Sequence, residues 1–135
     1  MPRRIISLPD GDVFRYLRKD DAEFQSFGEA YFSSVNYQAV KGWKRHTKMH
    51  MNIICVMGAV RFTFYDSCQS LFEPVARQVT LTSEKKQLLS VPPGPWFAFE
   101  GLCKCTNLIC NISSIVHDES EVERKPLAEI PYPES

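Results

Sequence analysis

Between Lys41 and His50 the chain reads Lys-Gly-Trp-Lys-Arg-His-Thr-Lys-Met-His, so four lysines or arginines lie within five residues of His46, beside Trp43. Neighbouring cations disfavour the imidazolium, which keeps a histidine neutral and competent as a general base near neutral pH. Lys41, Lys44 and Arg45 supply positive charge suited to a phosphate or to an oxyanion developing on a substrate. The alternative reading of the same residues is a solvated loop in which His46 only hydrogen-bonds a backbone carbonyl. His50 could join His46 on a metal, but two imidazoles fall short of the three protein ligands typical of a catalytic zinc site.

The elements that must position this stretch read as short strands bounded by turn residues. They are Val13 to Leu17, Ala30 to Asn36, Ile53 to Met57, Ala59 to Tyr65, Val79 to Leu81, Leu88 to Val91, Phe97 to Phe99 and Asn107 to Ile112. Such close spacing favours an all-β sandwich or barrel. In Val60-Arg61-Phe62-Thr63-Phe64-Tyr65 apolar and polar residues alternate and then crowd, the pattern of a sheet with one wet face and one core face. Helical signals are confined to Asp20 to Phe24 and Thr82 to Lys86, each long enough only for a turn or a short helix. Arg4 to Leu8 reads as an isolated strand. The charged tail from 117 to 135 carries Pro126, Pro131 and Pro133 and is expected to wrap the surface or cross to a partner.

With 135 residues, 44% of them apolar, the chain can bury one core, and residues 1–135 are read as a single domain. Sixteen basic residues balance sixteen acidic ones, so no chain-wide positive field draws nucleic acid or an anionic membrane; any anion must be held locally. The first residues lack the apolar run of a signal peptide, and no window approaches the ~20 apolar residues of a membrane span. The expected location is the cytoplasm. Cys55, Cys68, Cys103, Cys105 and Cys110 are odd in number and include no C-x-x-C pair, which reads as reduced thiols used in packing.

The runs GEAYFSSVNYQAVKGWKRHTKM, NIICVMGAVRFTFYD, LLSVPPGPWFAFEG and LICNISSIVHDESEVERKPLAEIPY follow in order over most of the chain. Together they resemble the dTDP-4-dehydrorhamnose 3,5-epimerase family, in a divergent branch associated with surface-polysaccharide (O-antigen) biosynthesis. The specific pieces are the histidine after Gly42-Trp43, the V-x-G-x-V-x-F strand ending in Tyr65-Asp66, the P-P-G-x-W-F-x-F loop, and D-E-S-E-V-E-R. The resemblance implies an all-β cupin, or double-stranded β-helix (jelly-roll) barrel. In that family a histidine removes protons from the carbons flanking the sugar's C4 ketone, a lysine stabilises the enolate and a tyrosine on the opposite face returns the proton.

His46 matches that base. The lysine position falls near Met51, the tyrosine position among Leu108, Ile109 and Cys110, and a second family histidine is Phe97 here. The metal-binding positions of metal-dependent cupins fall on Lys44, His46, Met51 and Phe97, so no bound metal is expected. The remaining phenols are Tyr31, Tyr37 and Tyr65, of which Tyr65 is taken as the relocated acid. Of the aromatics Trp43, Trp96, Phe97 and Phe99, which either stack on a sugar or fill the core, Trp43 and Trp96 join Lys41, Lys44 and Arg45 as candidate substrate contacts. Trp96 earns its place by following Gly94-Pro95 at a barrel mouth.

Two functions are therefore carried forward. One is an isomerase that acts on a nucleotide-linked 4-keto-6-deoxy sugar through His46, without a cofactor, because the ketone itself acidifies the neighbouring C–H bonds. The other is a cupin that holds a sugar nucleotide or another anion without turnover. A homodimer is expected, since small cupins cover exposed sheet edges by exchanging strands.

Overall fold

A computed structural model describes residues 4–65, 76–130 and 132–133; Asp66, Cys68 and Pro131 lie outside the described residues. The strands are β1 (Arg4–Ile6), β2 (Val13–Arg15), β3 (Glu29–Ser34), β4 (Val40–His46), β5 (Met51–Met57), β6 (Ala59–Tyr65), β7 (Arg77–Thr82), β8 (Leu88–Val91), β9 (Trp96–Gly101), β10 (Leu108–Ser113) and β11 (Val122–Arg124). A four-stranded sheet in the order β3-β10-β5-β8 faces a five-stranded sheet in the order β11-β4-β9-β6-β7, with every pairing between these strands antiparallel. This is the all-β cupin barrel that the sequence implies. The two helical signals are turns, and the only helices among the described residues are 3₁₀ segments at Glu119–Glu121 and Leu127–Glu129.

Strand periodicity divides the five-stranded sheet into two faces. Val60, Phe62, Phe64 and Phe97 point inward and pack with Met51, Ile53, Val91 and Ile109 of the other sheet. Trp43, Tyr65, Trp96 and Ala98 point outward, where Ile130 and Tyr132 of the tail cover them. The tail thus wraps the surface, and it also adds β11 to the edge of β4 in the register Val122↔His46, Glu123↔Arg45 and Arg124↔Lys44. The N-terminal strand is not isolated: Arg4–Ile6 pairs with Val13–Arg15 as a separate hairpin.

Two glycines fix how the site strand sits. At Gly58, φ is +75°, and a Cβ would lie 2.5 Å from Asn107 Oδ1 and the Thr106 carbonyl, so this turn from β5 into β6 excludes a side chain. Gly42 lies in a β-bulge: Lys41 pairs with Phe99 and Lys44 with Phe97, leaving Gly42 and Trp43 opposite Ala98 alone. A Cβ on Gly42 would come 2.4 Å from the Ala98 Cβ. Lys41 and Lys44 are three residues apart and would face opposite ways on a regular strand. The extra residue returns both to the inner side with His46.

Candidate active site

Inside the barrel a cavity of about 60 Å³ is lined by Tyr31 and Ser33 of β3, Lys44 and His46 of β4, Met51 and Ile53 of β5, Phe62 of β6, Phe97 and Phe99 of β9, and Ile109 and Asn111 of β10. His46, 6% exposed, stacks on Phe97 with ring centroids 5.8 Å apart and planes at 20°. Its Nδ1 lies 2.6 Å from Oε2 of Glu121, which is 1% exposed. The other carboxylate oxygen accepts from the backbone N–H groups of Lys48 at 3.1 Å and Met49 at 2.8 Å. Burial pushes the Glu121 pKa up, but the His46 bond and these two N–H groups outweigh it and hold the carboxyl below its ordinary value. Glu121 is therefore an anion. It fixes the proton of His46 on Nδ1 and leaves Nε2 as the basic nitrogen.

Asn111 donates from Nδ2 to the Tyr31 hydroxyl at 2.8 Å. With its oxygen occupied as an acceptor, the phenol has its own proton available for a ligand. Burial raises the Tyr31 pKa, the Asn111 bond opposes this, and the balance is upward, so Tyr31 is a neutral donor at physiological pH. Towards the outside, Lys41, Lys44 and Arg124 line a cavity of about 390 Å³ that shares Ser33, Lys44, Phe97 and Phe99 with the inner one. Lys41 Nζ donates to Ser33 Oγ at 3.4 Å and lies 5.9 Å above the Phe99 ring, bridging the two sheets. Burial, then Arg124 and Lys41, push the Lys44 pKa down, with Glu119 opposing. Arg124 is held in place by Glu119 at 2.6 and 3.0 Å.

His46, Lys44 and Lys41 are thus brought together as the sequence suggests, while Tyr65, Trp96, Arg45 and the indole of Trp43 lie on the other face of the sheet. Tyr65 follows inward-facing Phe64 and so points outward, 5.4 Å from Trp43 between ring centroids, in the cluster beneath the tail. It cannot return a proton to a sugar beside His46. Trp43 is fully buried on that outer face, and its indole N–H donates to the carbonyls of Leu127 at 3.3 Å and Ile130 at 3.2 Å. Trp96 packs in the same cluster with Lys125 Nζ 5.0 Å above its ring. Arg45 also faces outward, donating to the Gly94 carbonyl at 2.8 Å and pairing with Glu123 at 3.2 Å. Trp96 and Arg45 serve the fold and the tail, not the cavity; Trp43 does so with its indole, though the residue also borders the outer cavity.

Sequence reasoning did not single out Glu121, Asn111, Ser33 or Arg124, and it preferred Tyr65 to Tyr31. Glu121 and Arg124 lie within the D-E-S-E-V-E-R stretch, and Tyr31 and Ser33 alternate on one face of β3, so part of the signal was present. The four cupin metal positions do converge on the cavity, but as Lys44, His46, Met51 and Phe97 they offer one imidazole and a thioether. Among the described residues no three His, Cys, Asp or Glu side chains are grouped to hold a metal. His50 bonds Ser90 Oγ at 2.7 Å, away from His46. Burial pushes the Cys55 thiol up to about 11, as befits a packing residue.

No protein-family model and no curated protein matches the chain. Solved structures do. A dTDP sugar isomerase from Desulfovibrio desulfuricans G20 is 34% identical, with a TM-score of 0.85 over 97% of this chain and 86% of that one. A dTDP-4-dehydrorhamnose 3,5-epimerase from Bacillus anthracis, with TDP and pyrophosphate bound, shares the fold at 16% identity and a TM-score of 0.81, covering 99% of this chain and 83% of that one. QdtA, a sugar 3,4-ketoisomerase from Thermoanaerobacterium thermosaccharolyticum in complex with TDP, does so at 18% identity and a TM-score of 0.76, over 92% and 85%. The 34% identity to the Desulfovibrio protein, across nearly the whole of both chains and on the barrel just described, makes the chain a member of the dTDP-sugar isomerase family, the cupin group to which its resemblance to the 3,5-epimerases pointed.

Proposed function

We propose that the protein isomerises a nucleotide-linked 4-keto-6-deoxy sugar by proton transfer at a carbon beside the ketone. The observation that carries this reading is the buried Glu121–His46 pair, which turns His46 Nε2 towards a cavity that also holds Tyr31 and Lys44. His46 Nε2 takes the proton from the carbon beside C4. The C–H electron pair becomes the enolate C=C bond, and the ketone oxygen gains the charge, which Lys44 steadies and the Tyr31 hydroxyl can neutralise. Return of a proton to the opposite face of the same carbon completes an epimerisation; return to C4 completes a ketoisomerisation, in which the hydroxyl on the deprotonated carbon gives up its proton and becomes the new ketone. Lys41 and Arg124, at the outer cavity, suit the diphosphate. The ketone supplies the acidity, so the reaction needs no cofactor.

Lys44 and Tyr31 answer the lack of the family lysine and tyrosine on β5 and β10: the same chemical groups enter the cavity from β4 and β3. That lack is what favours the second reading, a cupin that binds a sugar nucleotide without turnover. Resemblance to the polysaccharide-associated branch supports a place in surface-polysaccharide (O-antigen) biosynthesis, in the cytoplasm where such precursors are handled. Among the described residues no helix is long and apolar enough to cross a membrane.

Deuterium wash-in from heavy water into TDP-4-keto-6-deoxyglucose, followed by NMR, tests the proposal. Wild-type protein is expected to exchange an α-proton and to convert the sugar. His46→Asn should remain folded and lose at least ~10²-fold in exchange, the usual loss for a positioned base. Micromolar binding with no exchange by wild type would establish the binding reading instead.

A further inference from the structure

We propose that Asn111 reads a hydroxyl next to the sugar ketone, so that the preferred substrate is an α-hydroxy ketone and not its deoxygenated analogue; this rests on the isomerase reading above. Asn111 is 3% exposed and lines the cavity with His46 and Tyr31. Its Nδ2 is committed to the Tyr31 hydroxyl, while its Oδ1 is buried without a hydrogen-bond partner. Folded proteins rarely leave such an acceptor unmet. This fold satisfies a comparable amide in full: buried Asn107 accepts at Oδ1 from Ala59 N and Cys103 N, and donates from Nδ2 to the carbonyls of Val35 and Cys103. The other unpartnered buried side-chain oxygen among the described residues belongs to Asn52, which is tied to the Glu23 carbonyl and is not part of the cavity lining.

The complementarity follows from matching groups. A 4-keto sugar brings the ketone oxygen as an acceptor, an acidic C–H bond on each carbon flanking the ketone, and hydroxyls that need an acceptor for their protons. Lys44 and Tyr31 are donors and meet the ketone; His46 Nε2 meets one of the C–H bonds. Ser33 Oγ already accepts from Lys41 Nζ. Most of the remaining wall is apolar: Met51, Ile53, Phe62, Phe97, Phe99 and Ile109. A hydroxyl entering this cavity therefore has Asn111 Oδ1 as its acceptor. The same amide that orients the Tyr31 phenol positions the carbon carrying that hydroxyl. A site built to bond a hydroxyl discriminates strongly against the analogue that lacks it, because the buried partner is then left unmet.

The test compares solvent exchange into TDP-4-keto-6-deoxyglucose and its 2-deoxy and 3-deoxy analogues, since exchange requires only the ketone and an α C–H bond. Wild type is expected to exchange the parent sugar about 10- to 100-fold faster than the 3-deoxy analogue, which lacks the hydroxyl beside the ketone, and the 2-deoxy analogue at close to the parent's rate; a preference against the 2-deoxy analogue alone overturns the assignment. Asn111→Leu should slow the parent by a similar factor and level that preference. Asn111→Asp, which keeps the acceptor but not the donation to Tyr31, should keep the preference at a lower overall rate. Should Asn111→Leu not fold, wild type and Asn111→Asp still decide the matter. Equal wild-type rates on all three sugars, a preference surviving in Asn111→Leu, or one lost in Asn111→Asp overturns the assignment and leaves the isomerase reading intact. Absence of wild-type exchange with every sugar overturns both.

Discussion

Replacing Glu121 by glutamine changes one oxygen to NH₂ and nothing in size, yet it cannot satisfy the partners that the carboxylate serves. Oε1 accepts from two backbone N–H groups and Oε2 faces His46 Nδ1, so both oxygens are used as acceptors. If the amide oxygen keeps Lys48 and Met49, the amide N–H points at Nδ1, and His46 must move its proton to Nε2 and cease to be a base. If the oxygen keeps His46, two N–H groups meet an NH₂, and the charge that steadies the imidazolium is gone. Wrong-tautomer substitutions of this kind lower turnover on the order of 10⁴-fold, and loss of positioned proton transfer alone lowers it about 10²–10⁴-fold. The expected loss for Glu121→Gln is therefore about 10²–10⁴ in kcat, with KM little changed because Glu121 does not line the cavity. The same carboxylate has a stability signature. Its folded pKa lies below the ordinary 4.5, so its contribution is fully present above that value and is lost as pH falls through the folded pKa. Thermal melts of wild type against Glu121→Gln should differ most at neutral pH and converge in acid. A variant within threefold of wild-type kcat, with an unchanged acid limb in its melting curve, would refute the dyad.

Tyr31→Phe should lower solvent exchange and conversion together, by about 10²-fold, because both pass through the enolate whose oxygen the phenol neutralises; NMR of the sugar reports both. Trp43→Ala should destabilise the fold by about 3–5 kcal/mol in urea melts, as expected for a fully buried tryptophan that also holds the tail through two hydrogen bonds. Ile5, Ile6, Leu8, Val13 and Phe14 around the β1–β2 hairpin are exposed apolar residues, and light scattering is expected to return twice the 15.5 kDa chain mass. A 15.5 kDa species at micromolar concentration would count against the dimer.

The barrel was legible because short strands between turn residues leave few architectures open, and His46 was legible because cations crowd it in sequence. What could not be read was which face each side chain takes. The crowding of Thr63, Phe64 and Tyr65 reads in sequence as one wet face and one core face, yet the strand is buried on both, with Phe64 against the other sheet and Tyr65 beneath the tail. Trp96 and Phe97 differ by one residue, and one residue reverses the face, so the rim tryptophan was chosen where the phenylalanine beside it lines the cavity. The bulge at Gly42-Trp43 depends on close approach to Ala98, more than fifty positions along the chain, which no local pattern announces.

Glu121 shows the same limit most sharply, and it also shows why the tail belongs to the site. Seventy-five residues separate it from His46, and the two meet because β11 pairs antiparallel with β4. In that register Arg124 sits opposite Lys44 on the cavity side, while Glu123 sits opposite Arg45 on the outer side and pairs with it. The chain then turns over the outer face, where Trp43 holds the Leu127 and Ile130 carbonyls and Tyr132 bonds Glu100 at 3.0 Å. One short segment thus supplies the anion behind the base and a cation at the mouth, and it covers the apolar face that those strands would otherwise leave in water. Loss of the outer packing would release β11 and, with it, the carboxylate that fixes the His46 proton. The aromatic cluster that sequence reasoning assigned to the substrate therefore supports the chemistry from the far side of the sheet, by holding in register the strand that delivers Glu121.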